Sequence, residues 1–256
     1  MSVINTNVKS LVASSTLAIN DRALSTAMEQ LSTGKRINGA KDDAAGMAIA
    51  SRMTSQIRGL DQAVRNSNDG ISLLQTADGA MEEVSNMLQR MRELSVQYLN
   101  GTNGSNDLTA LSTEFDALNT EIERIGTDTT WNGMDVFSGD PTIVQVGAND
   151  NNAISFTIDA LSTTADIEDL TTLDADIDTV NEQRSTLGAT INRLTYAANN
   201  ALNVSQNTSA SRSRIMDTDY AKTSAELART QIVQQAATAM LAQANQSTQS
   251  VLALLK

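Results

Sequence analysis

Apolar residues recur at spacings of three and four along most of this chain. Met53, Ile57, Leu60, Val64, Ile71, Leu74, Met81, Leu88, Met91 and Tyr98 follow those spacings or their sums, the period of a helix that buries one face. At ~1.5 Å per residue this stripe predicts a helix of about 70 Å. A second stripe (Leu108, Leu111, Phe115, Leu118, Ile122, Ile125) and a third (Ile177, Val180, Leu187, Ile191, Leu194, Ala198, Ala201) repeat the pattern. The first two are separated by Asn100-Gly101-Thr102-Asn103-Gly104-Ser105-Asn106, which is turn chemistry, so their helices fold back on each other. None of the three is apolar enough to stand alone.

The ends carry weaker stripes. Ile4, Val8, Leu11, Ala18, Leu24 and Leu31 mark an N-terminal helix that stops near Gly34, a residue suited to a left-handed C-cap. Residues Gly34 to Ala40 read as non-helical. Asp42-Asp43 then offers carboxylates to the start of the next helix. Ile232, Val233, Ala236, Ala239, Met240, Val251, Leu252 and Leu255 mark one C-terminal helix within residues 215–256.

Between Thr127 and Ala165 the period changes to two. Thr142 to Val146 and Ala153 to Ile158 alternate, and Gly147 to Asn152 between them reads as a hairpin loop. Trp131-Asn132-Gly133 and Ser138-Gly139-Asp140-Pro141 are further turn signals. The fold class is therefore mainly α. It is a long antiparallel helical bundle or coiled coil, with a small β-hairpin region at about 127–165 and both termini at one end.

Composition narrows the chemistry. Among 256 residues there is no cysteine and no histidine. That removes disulfides, thiolate nucleophiles, the commonest general base and the commonest transition-metal ligand. Asp174, Asp176 and Asp178 resemble the start of a calcium loop, but Thr179 and Ser185 occupy the places that need Gly and Glu. No metal, cofactor or catalytic constellation is expected, and the chain does not read as an enzyme. Aromatics make up 3% of residues and Pro141 is the sole proline, which again favours helices over a sandwich or barrel.

The net charge of −12 is concentrated in the middle: between Arg124 and Arg184 there is no basic residue. Such a surface repels nucleic-acid phosphates, so no nucleic-acid partner is expected. Thr230 to Leu255 is uncharged but interrupted by glutamines, which argues against a membrane span. Met1 to Ser15 lacks the continuous apolar run of a cleaved signal peptide.

Residues 215–256 hold a dozen large apolar side chains. Their burial falls well short of offsetting the entropy of ordering the whole segment alone. The segment also lacks the charge pattern of a solvated helix. Two amide-rich, nearly uncharged terminal helices suit packing in a multi-chain core better than a pairing that ends within one monomer.

Four stretches carry a resemblance. They are LSTGKRINGAKDDAAGMAIASRM (Leu31 to Met53), QRMRELSVQ (Gln89 to Gln97), QVGAND (Gln145 to Asp150) and SRIMDTDYAKTSAELARTQIVQQAATAMLAQANQSTQSVLALLK (Ser213 to Lys256). Together they resemble bacterial flagellin, in the family's order and over nearly the whole chain. The resemblance implies a filament subunit exported unfolded through the flagellum's own channel, with an export chaperone, the filament cap and hook-junction proteins as partners.

It also implies terminal helices that fold on assembly. Residues 1–43 with 211–256 would be a terminal coiled-coil domain in the filament's inner core, and 44–210 a rod-like helical domain outside it. Ile4, Val8, Leu11, Leu31, Ile232, Val233, Leu241, Leu252 and Leu255 are the residues expected to bury against neighbouring copies. Many flagellins insert a large variable outer domain for which this chain has no room, so the rod layer and its acidic stretch would face water. By the same resemblance, Arg90, Leu94 and Glu114 match the contact with the Toll-like flagellin receptor of animal hosts. A hook–filament junction protein is the nearest alternative, and a soluble helical adaptor or chaperone is the alternative from another class.

Overall fold

The computed structural model describes residues 6–163 and 165–253, with side chains described to residue 246. The fold is mainly α. The described residues form helices α1 (Val8–Thr33), α2 (Ala44–Tyr98), α3 (Ser105–Asp128), α4 (Leu170–Met216) and α5 (Tyr220–Ala253). Two antiparallel strand pairs join them: β1 (Thr130–Trp131) with β2 (Met134–Asp135), and β3 (Pro141–Gln145) with β4 (Ala153–Thr157). The chain divides into two compact units, Met1–Ser55 with Thr208–Lys256, and Gln56–Asn207.

In the first unit the helix ends follow from local chemistry. The Asn7 side chain accepts from the Ser10 N–H at 3.1 Å and caps α1. Gly34 closes that helix in the left-handed conformation, φ 71°, its N–H donating to the Gln30 carbonyl at 2.9 Å. Of the two aspartates expected to start α2, only Asp43 does so, accepting from the Gly46 N–H at 2.9 Å. Asp42 instead accepts from the Asn38 and Gly39 N–H groups at 3.1 and 3.0 Å and closes the preceding turn.

The C-terminal helix does not extend back to residue 215. α4 runs to Met216, and α5 starts anew at Tyr220. Asp219 accepts from the Ala221 and Lys222 N–H groups at 3.0 and 3.2 Å, which marks the new start. The two breaks in helix are hydrogen-bonded to each other. Arg36 N–H donates to the Met216 carbonyl at 2.7 Å and Thr218 N–H to the Gly34 carbonyl at 3.0 Å. The Arg36 guanidinium adds a bond to the Ile215 carbonyl at 2.6 Å. Backbone groups freed by each break are thus satisfied by the other.

The second unit has the apolar core. Leu74, Met81, Leu88, Met91, Ile122, Leu173 and Leu194 are fully buried, and Phe115, Phe137, Val144 and Phe156 complete the cluster. Each of the three expected stripes contributes to this core, the first from Ile71 to Tyr98, the second from Leu111 to Ile125 and the third from Ile177 to Leu194. α2 and α4 run antiparallel, as the pairs Asp61–Ser205, Asp78–Arg184 and Arg92–Asp174 demonstrate. The β3–β4 hairpin pairs Thr142 with Phe156 and Val144 with Ile154. It lies close on α2: a Cβ at Gly70 would sit 3.0 Å from Val144 Cγ2 and 3.3 Å from Leu194 Cδ1. Asn66 donates from its side chain to the Gln145 carbonyl at 3.1 Å and fixes that contact. The turn signal Trp131-Asn132-Gly133 lies in a second, two-residue hairpin joining β1 to β2.

Leu88→Ala is expected to lower the unfolding free energy by about 2–5 kcal/mol, measured by urea denaturation followed by circular dichroism. Gly34→Ala meets two obstacles, the positive φ and the Tyr220 hydroxyl 3.1 Å from the added Cβ. A loss of about 1 kcal/mol at the joint is expected, read as faster amide exchange at Arg36 and Thr218. Unchanged exchange there contradicts the joint as described.

Candidate assembly surfaces and the Arg90 corner

α1 and α5 form an antiparallel two-stranded coiled coil. On α1 the covered positions are Ser10, Ala13, Leu17, Asn20, Leu24, Ala27 and Leu31; on α5 they are Thr223, Leu227, Thr230, Gln234, Ala237, Leu241 and Ala244. Both sets alternate steps of three and four, the heptad seam. Every second seam position is small, which lets the two backbones approach closely. Asn20, 8% exposed, donates from its side chain to the Thr230 carbonyl at 2.8 Å. Asn7 does the same to the Ala244 carbonyl at 3.2 Å, and Gln234 donates to the Asp21 carboxylate at 2.9 Å. The buried Asn20 amide is thus satisfied across the seam in this register.

The large apolar residues mostly point the other way. Leu11 is 61% exposed and Ile232 66%. Val8, Val12, Ile19 and Met28 on α1, and Val233 and Met240 on α5, are exposed with them. The terminal residues singled out in the sequence therefore divide. Val8, Leu11, Ile232 and Val233 face outward, whereas Leu31 and Leu241 are half-buried on the seam between α1 and α5. Ile4, Leu255 and the side chain of Leu252 lie outside the described residues.

The seam residues Ala13, Asn20, Ala27, Thr223, Thr230 and Ala237 were not distinguished by apolarity. Their signal is the interval of seven. Among the described residues no helix is long and apolar enough to cross a membrane. The outward residues make an exposed apolar surface on the α1–α5 pair.

In the second unit, Arg90 lies on α2 opposite α3. Its Nε and Nη2 both donate to one Glu114 oxygen, at 3.0 and 2.9 Å, and its Nη1 donates to Glu93 at 3.1 Å. The Glu114 hydrogen bonds first, then those of Glu93, push the guanidinium pKa up. Leu94 does not share this surface. It is 1% exposed and packed in the apolar core one turn along α2.

The neighbouring arginines are similarly engaged. Arg92 bonds Asp174 at 2.6 Å, and Arg124 bonds Glu121 and Asp128 at 2.5 and 3.1 Å. Arg184 bonds Asp78 at 2.8 Å. The Arg124 hydrogen bond holds the Glu121 carboxyl below its ordinary range. Its contribution is therefore present above the ordinary carboxylate pKa and fades as pH falls through the lowered one. These pairs are exposed and individually weak. Between Arg124 and Arg184 there is no basic residue, so that stretch is acidic, with Asp174 paired to Arg92. Asp174, Asp176 and Asp178 lie on α4, so the calcium-like spacing is wound onto a helix. Among the described residues no group of three or more carboxylates is arranged to hold a metal ion.

The model of the bacterial flagellin N-terminal helical region matches residues 4–142, and that of the bacterial flagellin C-terminal helical region matches residues 170–255. Flagellin of Halalkalibacterium halodurans is 47% identical, over 99% of this chain and 100% of its own length. Flagellin of Xenorhabdus nematophila is 41% identical over 100% and 99%. The flagellar filament 33 kDa core protein of Treponema phagedenis is 38% identical over 99% and 100%. Two family regions in order and identity along the full length lead to one conclusion: the chain belongs to the bacterial flagellin family, as a short structural subunit of the flagellar filament.

Proposed function

We propose that the two ends of the chain are the polymerisation device and that they order fully only among neighbouring copies. The observation that carries this is the outward apolar face of the α1–α5 coiled coil. Val8, Leu11, Ile232 and Val233, with Val12, Ile19, Met28 and Met240, are exposed among the described residues. In the filament they bury against adjacent copies, while Leu31 and Leu241 hold α1 to α5 within each one. Ile4, Leu252 and Leu255 extend the same contact toward the termini. Residues 1–43 with 211–256 then form the inner core and residues 44–210 the outer rod layer. The acidic stretch faces water.

Several partners accompany this reading. The chain leaves the cell unfolded through the flagellar channel, without a cleaved signal peptide, held before export by a flagellar chaperone. It is added beneath the filament cap onto hook-junction proteins. In an animal host, free subunits engage the Toll-like flagellin receptor at the Arg90–Glu114 corner. There a forked guanidinium beside carboxylates offers directional hydrogen bonds. The packed core around Leu94 keeps that corner rigid.

Ile232→Lys places a charge on the outward face, at a side chain that is 66% exposed. It is expected to leave helicity and the urea transition of the second unit unchanged while abolishing filaments seen by electron microscopy and swimming in soft agar. Normal filaments from that variant contradict the proposal. Arg90→Ala with Glu114→Ala is expected to reduce receptor signalling by soluble subunits at least about tenfold, the loss of roughly one strong polar anchor. The dose response of a reporter cell line measures it, and an unchanged dose response removes the receptor assignment.

A further inference from the structure

We infer that Asn100, in the turn between α2 and α3, is a site of spontaneous covalent modification: its side-chain amide is lost by cyclisation onto the Gly101 nitrogen, leaving aspartate or isoaspartate. The sequence holds four Asn-Gly steps, at residues 38, 100, 103 and 132. Glycine next to asparagine leaves the attacking nitrogen without a neighbouring Cβ and gives the backbone its widest freedom. Composition alone therefore treats the four alike. The fold does not.

At Asn38 both reacting groups are engaged. The side-chain amide donates to the Lys35 carbonyl at 3.1 Å, and the Gly39 N–H donates to Asp42 at 3.0 Å. Asn103 is held in the same way, its amide on the Gln97 carbonyl and the Gly104 N–H on Asp107 at 3.1 Å. Asn132 sits at φ 52° in the two-residue turn, between the pairs Trp131–Met134 and Thr130–Asp135. Closing a ring there would flatten the link that the hairpin bends. At Asn100 the N–H and carbonyl are bonded to Gln97 and Asn103, at 3.2 and 3.3 Å. Among the described residues, its side-chain amide and the Gly101 N–H make no hydrogen bond. Asn100 and Gly101 are both exposed, so water and base reach them directly.

The chemistry needs only water. The Gly101 nitrogen gives its proton to solvent base and attacks Asn100 Cγ. The N–Cγ bond forms, the Cγ–Nδ2 bond breaks, and Nδ2 leaves as ammonia with a proton from solvent. Water then opens the cyclic imide. Cleavage at one C–N bond yields aspartate, and cleavage at the other yields isoaspartate, with no change of oxidation state. Either product puts a negative charge just past the last residue of α2, the end of a helix that favours cations. Isoaspartate also adds a backbone carbon to the turn that Asn103 N–H closes onto Asn100.

The test is to incubate the full chain, as monomer and as filament, in mildly alkaline buffer and map peptides by mass spectrometry. Methyltransferase labelling identifies isoaspartate. In the folded monomer Asn100 is expected to convert roughly tenfold or more faster than Asn38 and Asn103, each of which must first break about two hydrogen bonds. In urea the four rates are expected to converge. Asn100→Gln and Gly101→Ala are each expected to remove the fast phase. Equal rates at the four sites in the folded chain, Asn132 leading, or a fast phase that survives Asn100→Gln would overturn the assignment. So would a spread in urea as large as in the folded chain, which would assign it to local sequence.

Discussion

The structure of the terminal unit depends on one packing choice, a seam between α1 and α5 in which every second position is small. Ala13, Asn20 and Ala27 meet Thr223, Thr230 and Ala237 where a self-sufficient coiled coil would carry leucine or isoleucine. Small residues bring the backbones close but bury little apolar area, so the pair gains modestly from its own interface. Register is then fixed by polar devices, above all Asn20 on the Thr230 carbonyl. Leucines alternate with the small residues on the seam, while Val8, Leu11, Val12, Ile19, Met28, Ile232 and Met240 are left on the outside. A pair of helices built this way is specific in its alignment yet incomplete in its burial.

The other unit is built on the opposite principle. Leu74, Met81, Leu88 and Leu194 fill a continuous core, and buried hydroxyls such as Ser67 and Thr190 bond to carbonyls one turn back. Its surface arginines are drawn into pairs with carboxylates, which keeps the remaining acidic surface hydrated and discourages unplanned contacts. The second unit therefore carries its own apolar core, while large apolar side chains of α1 and α5 stay exposed. Turns between rigid helices are where this unit is open to solvent chemistry, and the bonding of each turn decides how exposed its asparagines are.

Much of this was legible in the residues. The stripes through Leu74, Phe115 and Leu187 have large side chains at helical spacing, so periodicity alone located the core. The Thr142–Val146 and Ala153–Ile158 alternation located the hairpin, and Gly34 announced a helix end that the backbone confirms. The seam of α1 and α5 escaped because alanine, threonine and asparagine carry no hydropathy contrast; only their interval of seven marks it. The break at Asp217 to Asp219 escaped for a related reason. It contains no glycine or proline, and it is set by pairing with Gly34 and Arg36, far away in sequence. The motif around Arg90 runs along one helix whose successive residues face both solvent and core, so Arg90 is exposed and Leu94 buried.

Amide hydrogen exchange, compared between dilute monomer and assembled filament, tests the central claim most directly. Exchange across α1 and α5 is expected to be fast in the monomer, while the core of α2 around Leu74 to Leu88 stays protected. Polymerisation is expected to slow the ends by orders of magnitude. Slow exchange along both terminal helices in dilute monomer, unchanged on assembly, would mean that the ends are complete by themselves and would contradict the account.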